Sequence, residues 1–561
     1  MKQLLQNMRD GKAVVEDVPM PTARRGMALV QTAASLVSAG TERMVVEFAE
    51  KSLVGKARSR PDLMRQVLEK AQREGVISTM QAALNRLDQP MALGYSSAGT
   101  IIALGEDMQG FNVGDRAACA GGGYAVHAEY AVVPRNLLAR LPEEVDFESG
   151  AFATLGAIAM HGFRLAEAQV GERLGIIGMG LLGLLAAQIA EAAGCRVLGI
   201  DTDAKRVELA RSLGLQAAPR EDGEAAAAAF TGSRGFDVVL ICADTPSDDP
   251  VELAGAVARD RARVVATGAV GLTLPRKIYY EKELSFINSR SYGPGRYDAS
   301  YEEDGRDYPA GYVRWTEGRN LESVVELMAA GKLRVKPLIT HRFPIEDAVR
   351  AYEVITGKAG EPFLGVVLTY EGGKRKEERR IEFPRGATRP AAAVKLGVLG
   401  AGLYANATLL PAIKDLAEIE LAGIVSAGGL HAQHSAKKFG FKYAASSDEE
   451  ILNDPEINTV AILTRHNTHA ELAVRALQAG KHVFVEKPLA VDNDQLSAIS
   501  NQLEKGEGCI LTVGFNRRFA PLAQQLRTSL AGRHEPLYMH YRVNAGYLPL
   551  NHWTQDPEIG G

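Results

Sequence analysis

The sequence predicts an α/β chain in which one doubly wound parallel sheet is built twice. Three observations carry this. Strand–helix alternation fills residues 141–290 and restarts over 394–514. Each stretch opens on an apolar strand, a glycine loop and a helix, and the apolar runs are continuous, as in parallel strands buried on both faces. Between them lies a charged, Pro/Gly/Ala-rich stretch poor in large apolar residues, which reads as a linker over 372–393. A chain of 561 residues is in any case too long for one core.

In chain order, residues 1–44 alternate short apolar runs with turns (ALVQTAASLVSAGTE) and read as β-rich. Residues 45–90 have helical spacing and many charges and form a helical insert in a β domain over 1–140. The first doubly wound region follows, with RLGIIGMG, LLGLLAAQIAEAAG, CRVLGID, FDVVLICAD and RARVVATGAV. Residues 291–371 are mixed, with a helix around Leu321–Ala330, and return to the β domain. After the linker, VKLGVLGAGLYANATLLPAI starts the second region, and 515–561 begins a further sheet domain.

Composition narrows the class. Charged residues make up 24% and the net charge is −4, which gives no global attraction to nucleic acid or an anionic membrane. No run approaches the roughly 18 apolar residues of a membrane span, and MKQLLQNMRDGK lacks a signal-peptide core. Cys119, Cys195, Cys242 and Cys509 are far apart with no CxxC pair, so a reducing cytoplasm fits best.

The first loop, IIGMGLLG, places Gly178, Gly180 and Gly183 in GxGxxG spacing between strand and helix. Such a loop turns tightly at the first glycine, admits a pyrophosphate at the second and packs helix on strand at the third. The next strand ends on Asp201, where the dinucleotide fingerprint expects an acid for the adenosine ribose. That acid repels a 2′-phosphate and favours NAD over NADP, although Lys205 and Arg206 stand close by.

With GDR (Gly114–Arg116) and AEYAVVP (Ala128–Pro134) ahead of this unit, the first 370 residues resemble the medium-chain alcohol dehydrogenase family. The resemblance implies a GroES-like β domain split around a Rossmann domain. Zinc-dependent members carry a cysteine in CGTD and a histidine in GHE. The matching stretches here are AGTE and GYS, so Ala39 and Tyr95 replace the two metal ligands. No zinc is expected, and Cys119 and His127 alone make no site. Tyr95 is then a candidate donor to a substrate carbonyl, or else a core tyrosine. The aromatic- and arginine-dense stretch 289–320 suits sugar rings and anionic groups, or serves as a subunit contact or lid.

The second loop, GVLGAGLYA, gives Gly400, Gly402 and Ala405 in GxGxxA form, and its following strand ends at Ser426 with no acid, which leaves NADP open. Downstream, TRHNTH, AGKHVFVEKP and VGFNRRF together resemble the Gfo/Idh/MocA family. That resemblance places Asn467, His469 and Glu486 beside a dinucleotide and Lys487 at nicotinamide and substrate. Pro488 keeps Lys487 extended at the carboxyl end of a strand. In a low-dielectric pocket the amine would titrate near neutrality and assist deprotonation of a sugar hydroxyl. The family's acid/base histidine helix does not occur before Gly561, so a C-terminally truncated sequence is expected.

The whole is similar to bacterial two-domain oxidoreductases that fuse a zinc-less medium-chain unit to a Gfo/Idh/MocA-type unit. The fusion implies an NAD(P)-dependent enzyme with two cofactor sites, acting on a secondary alcohol or ketone of a sugar or nucleotide-sugar in polysaccharide metabolism. A homo-oligomer is expected, with no nucleic-acid or membrane partner. The alternatives are a non-catalytic dinucleotide-binding scaffold or sensor, and a zinc-independent quinone or enone reductase working through the first half only.

Overall fold

A computed structural model of the chain describes residues 1–59, 87–371, 378–383, 393–505, 508–543, 548, 552–557 and 559–560. The described residues form two compact units. One takes 1–17, 23–68 and 91–374; the other takes 18–22, 69–90 and 375–561. The first unit contains both the β domain and the first doubly wound sheet.

In the β domain a seven-stranded sheet is centred on Met27–Val37. That strand pairs with Ser96–Leu104, with Tyr130–Pro134 and with Gly365–Thr369, all antiparallel. The last pairing, beside Ile339–Pro344, closes the domain with residues from the 291–371 stretch. The doubly wound sheet of the same unit has six parallel strands in the order Gln216–Pro219, Arg196–Asp201, Arg173–Ile177, Phe236–Ile241, Ala258–Ala266, Ser285–Asn288. The chain reverses direction across the sheet between Arg173–Ile177 and Phe236–Ile241. Open sheets of this kind bind ligands at that point, beyond the carboxyl ends of the strands.

The second unit repeats the plan. Its parallel strands run Tyr443–Ala445, Ile419–Val425, Val394–Leu399, Thr459–Ile462, His482–Glu486, Leu511–Gly514. Both sheets therefore have the sequential order 3-2-1-4-5-6, which is the internal repeat expected from the sequence.

Three elements differ from expectation. The helix Thr41–Glu50 begins inside the stretch read as β-rich, because Glu42 in its first turn reaches back to accept the Ser38 N–H at 3.0 Å. Of the helical insert, Leu53–Ser59 forms a second helix, and residues 60–86 lie outside the described residues. The segment expected as linker contributes an antiparallel edge strand, Arg380–Glu382, paired with Tyr443–Ala445. Only two apolar side chains at alternate positions mark it: Ile381 on the strand and Phe383, which packs on the second unit's core. Arg380 also stacks 3.6 Å over the Tyr443 ring. A period-2 pattern that short is invisible among so many charges. The helix expected at Leu321–Ala330 begins earlier, at Glu317, because the Thr316 side chain caps it by accepting the Arg319 N–H. Among the described residues no helix is long and apolar enough to cross a membrane.

Candidate active sites

The first glycine loop leaves the strand Arg173–Ile177 and enters the helix Leu181–Ala192. Its glycines divide the work. Gly178 has φ +95°, and a Cβ there would meet Ala243 N at 2.7 Å. A Cβ at Gly183 would collide with Gly178 O. The fold itself needs both. Gly180 is different: its backbone is extended, and the nearest atom to an added Cβ is Arg206 Nη1 at 3.7 Å, an ordinary contact. The protein leaves that space open, as a bound pyrophosphate requires.

Gly178, Gly180, Asp201 and Tyr95 line one cavity of about 570 Å³. Gly183 lies beneath it. Asp201 is buried and accepts the N–H groups of Met179 (2.5 Å) and Asp203 (2.8 Å), with Arg206 Nη1 at 3.9 Å. The same cavity runs to Ser38, Ala39, Thr41, Leu155, Thr267 and Phe363. At that end Tyr95, half-buried, donates its hydroxyl hydrogen to Ser38 Oγ at 2.7 Å. Burial pushes the phenol up to about 12; the Ser38 hydrogen bond opposes this and the Glu42 charge adds to it. Among the described residues no group of three or more His, Cys, Asp or Glu is placed to hold a metal ion.

His127, read from the sequence as making no site with Cys119, enters a buried polar network. It is fully buried, with Nδ1 at 2.7 Å from Ser35 Oγ and Nε2 at 3.1 Å from Glu42 Oε2. Sequence reasoning missed Glu42, Ser38 and Ser35 as well. The available signals were the acid that ends AGTE and a histidine inside the apolar run YAVHAEY. Cys119 is buried, and desolvation pushes its thiol up to about 12.

The stretch 289–320 is built partly into the first unit's core. Tyr292 and Tyr301 are buried, Tyr301 stacks on Tyr308 at 5.3 Å, and Arg164 and Arg314 both lie against Trp315. Several of its aromatics thus build local core, while Tyr297 and Tyr312 stay exposed. Inside it, Glu317 is wholly buried beside Tyr292, yet neither group has hydrogen-bond geometry to a partner. Burial first, then the charge of Glu302, push its carboxyl from 4.5 to about 8, against the pull of Arg296. The folded state therefore holds a proton that the unfolded chain has released. This stability is fully present below about pH 4.5 and is lost as pH rises to about 8. We expect denaturant melts to show a decline of a few kcal/mol across that window, roughly 1.4 kcal/mol per pKa unit, and Glu317→Gln to flatten it.

In the second unit, Gly400 has φ +104° and a Cβ there would meet Leu463 O at 2.6 Å, whereas a Cβ at Gly402 would meet nothing within 4 Å. The division of labour matches the first loop. Ala405 is buried and opens a π-type turn, Ala405–Leu409. Ser426 follows the strand Ile419–Val425, and its Oγ accepts the Ala432 N–H at 3.0 Å. These residues, the 464–469 segment and Glu486–Lys487 stand at the carboxyl ends of neighbouring parallel strands.

The details there depart from expectation. Lys487 is exposed, so no described residue encloses it in the low-dielectric pocket expected from the sequence. Its N–H donates to Glu486 Oε2 at 3.2 Å, and the Lys487–Pro488 bond is cis. His469 is buried, with its ring nitrogens 2.7 Å from Pro488 O and 3.1 Å from Thr464 O, so it ties the turn after Lys487 to the 464–469 segment. Asn467 is exposed and its backbone N–H donates to Ile559 O at 3.2 Å. Glu486 Oε1 accepts from Asn516 Nδ2 at 2.7 Å, which also donates to Tyr404 Oη at 2.8 Å. Burial and the Glu486 carboxylate push Tyr404 up to about 12. Tyr404 and Asn516 were missed, although both lie within motifs already singled out, GVLGAGLYA and VGFNRRF.

Three family profiles match this chain: an alcohol dehydrogenase GroES-like domain over 68–143, a zinc-binding dehydrogenase over 182–303, and the Gfo/Idh/MocA oxidoreductase family with an NAD-binding Rossmann fold over 394–515. The chain joins a medium-chain dehydrogenase-like unit to a Gfo/Idh/MocA-type unit. Both are units of dinucleotide-dependent oxidoreductases, and the chain is an enzyme of that class. D-xylulose reductase of Saccharomyces cerevisiae is 26% identical over 305 residues, 48% of this chain and 78% of that protein. Sorbitol dehydrogenase of Halalkalibacterium halodurans is 27% identical over 319 residues, 50% of this chain and 83% of that protein. An alcohol dehydrogenase superfamily protein from Novosphingobium aromaticivorans superposes with a TM-score of 0.51 at 21% identity, covering 66% of this chain and all of that one, a likeness of fold.

Proposed function

We propose that the medium-chain unit is an NAD(H)-dependent dehydrogenase that reduces a keto group of a sugar or sugar derivative, with Tyr95 in the place of a metal. One observation carries the reading: the space left at Gly180 and the Tyr95 hydroxyl belong to a single cavity. Its residues fit a dinucleotide, with the pyrophosphate on Gly180 and the helix N-terminus and the adenosine ribose toward Asp201. The Asp201 carboxylate disfavours a 2′-phosphate there, which supports NAD. A bound nicotinamide supplies the hydride. Tyr95 turns its O–H from Ser38 toward the carbonyl oxygen and donates the proton as charge develops, Ser38 then donating to Tyr95 Oη in return. A phenol held near 12 is protonated at neutral pH, which suits the acid's role in reduction better than the base's role in oxidation.

The keto-sugar assignment is supported by the polyol and pentulose chemistry named for the relatives, and a nucleotide-linked sugar of polysaccharide metabolism by the resemblance to the two-domain oxidoreductases. The second unit is read as a further dinucleotide site with Lys487 at its substrate side. Four free cysteines, three of them buried, support a reducing cytoplasm. The test is NADH consumption by the full chain against free ketoses, nucleotide-linked keto sugars and quinones. Turnover with one of the two sugar groups is expected; consumption with quinones alone would replace this reading with a quinone reductase.

A further inference from the structure

Behind Tyr95 lies a buried polar network that the reaction as described leaves unused. Glu42 and His127 are 3% and 0% exposed. Removing a carboxylate from water costs several kcal/mol unless its lone pairs are satisfied, and apolar side chains fill such a site more cheaply. Here the lone pairs are satisfied. Glu42 Oε1 accepts the Ser38 N–H at 3.0 Å, and Oε2 accepts from His127 Nε2 at 3.1 Å and from the Tyr352 hydroxyl. His127 Nδ1 meets Ser35 Oγ at 2.7 Å, and Ser35 Oγ meets the Tyr370 hydroxyl at 2.7 Å.

The network grips both members of the Tyr95–Ser38 pair. Ser38 sits between the strand Met27–Val37 and the helix Thr41–Glu50, and the Glu42 bond to its N–H fixes the backbone that carries its Oγ. On the other side, the His127 N–H donates to Leu93 O at 2.8 Å. Its ring also packs against Gly94, the residue before Tyr95: a Cβ at Gly94 would meet His127 N at 2.6 Å and the ring at 2.9 Å. One imidazole thus braces the backbone leading into Tyr95 while its Nε2 holds the carboxylate that pins Ser38. Tyr352 comes from the helix Ala348–Ile355 and Tyr370 follows the strand Gly365–Thr369, so residues distant in sequence meet in this network.

Resting on the reading of Tyr95 above, we infer that Glu42 and His127 are positioning residues that aim the Tyr95–Ser38 hydroxyl pair into the cavity. The Glu42 charge also opposes ionisation of the phenol, so the Tyr95 titration reports whether the carboxylate still faces it. Tyr352, Tyr370 and Glu129 are the other titratable groups around the network.

The test uses the full chain labelled with ¹³Cζ-tyrosine, with the Tyr95 resonance assigned by its loss in Tyr95→Phe. In the cofactor-free protein, Glu42→Gln is expected to lower the pH midpoint of that resonance. With substrate and NADH, Glu42→Gln and His127→Gln are expected to lower kcat on the order of tenfold through lost aim of the hydroxyl pair, with the NADH Kd within about twofold. Thermal melts report folding. Should either variant fail to fold, Ser35→Ala removes the Nδ1 partner of His127 without touching Glu42 or Tyr95, and the same two readouts decide. An unmoved midpoint together with unchanged kcat, while Tyr95→Phe is inactive, overturns this inference alone. Full activity in Tyr95→Phe overturns the reading of Tyr95 instead, and the resonance midpoint still judges the network's hold on the phenol.

Discussion

Gly180→Val is expected to abolish NADH binding at the first unit while leaving the protein folded, and Gly402→Val to do the same at the second. The reasoning is steric. A valine at 180 has its Cβ at ordinary contact distance from Arg206 and an extended backbone that any residue adopts. Its folding penalty is about 1 kcal/mol, for a poor residue at the start of a helix. A valine at 402 has a Cβ that meets no protein atom within 4 Å. Both side chains, however, fill space that a pyrophosphate needs in order to reach backbone N–H groups. Calorimetric titration with NADH should therefore give two sites for the unaltered chain, one for either variant and none for the pair, with a loss on the order of 100-fold or more at each altered loop. Gly178→Val is the contrasting control. With φ +95° and Ala243 N at 2.7 Å from its Cβ, it is expected to lower the melting temperature sharply. Two sites persisting in Gly402→Val would mean that the second loop holds no dinucleotide.

The glycine loops that this experiment probes were legible in the sequence because their pattern is local. A parallel strand buried on both faces reads as an apolar run, and the glycines, Asp201 and Glu486 follow such runs within a few positions. What was not legible is held together over distance. Glu42 meets His127 across 85 residues and Tyr352 across 310. No window of sequence brings these together; the antiparallel pairings of Met27–Val37 with Tyr130–Pro134 and with Gly365–Thr369 do. Lys487 shows the opposite limit. Its motif fixes its place at a strand's carboxyl end but not what covers it, and the described residues leave it exposed. The edge strand Arg380–Glu382 failed for a third reason: it has only three residues, and its pairing with Tyr443–Ala445 rather than its composition makes it a strand.

Tyr95→Phe is expected to lower kcat for carbonyl reduction by about 10²- to 10⁴-fold, the range of a general acid's contribution. The substitution removes one oxygen and keeps the ring, so the wall of the cavity between Ser38 and Leu155 stays filled. Ser38 loses its partner but faces the cavity, where water replaces the bond, so stability should change by no more than about 1 kcal/mol. NADH affinity should hold within about twofold, because Gly180 and Asp201 at the far end of the cavity are untouched. The pH profile is the more discriminating readout. With the phenol pushed up to about 12, the rate of the unaltered enzyme should stay level through neutrality on account of this group and fall only in strongly alkaline solution, as the proton is lost. Tyr95→Phe should erase that alkaline limb along with most of the rate. A variant that keeps its rate and its alkaline limb would show that the proton reaches the carbonyl oxygen from another donor, and Thr41 or bulk water at the cavity mouth would then have to supply it.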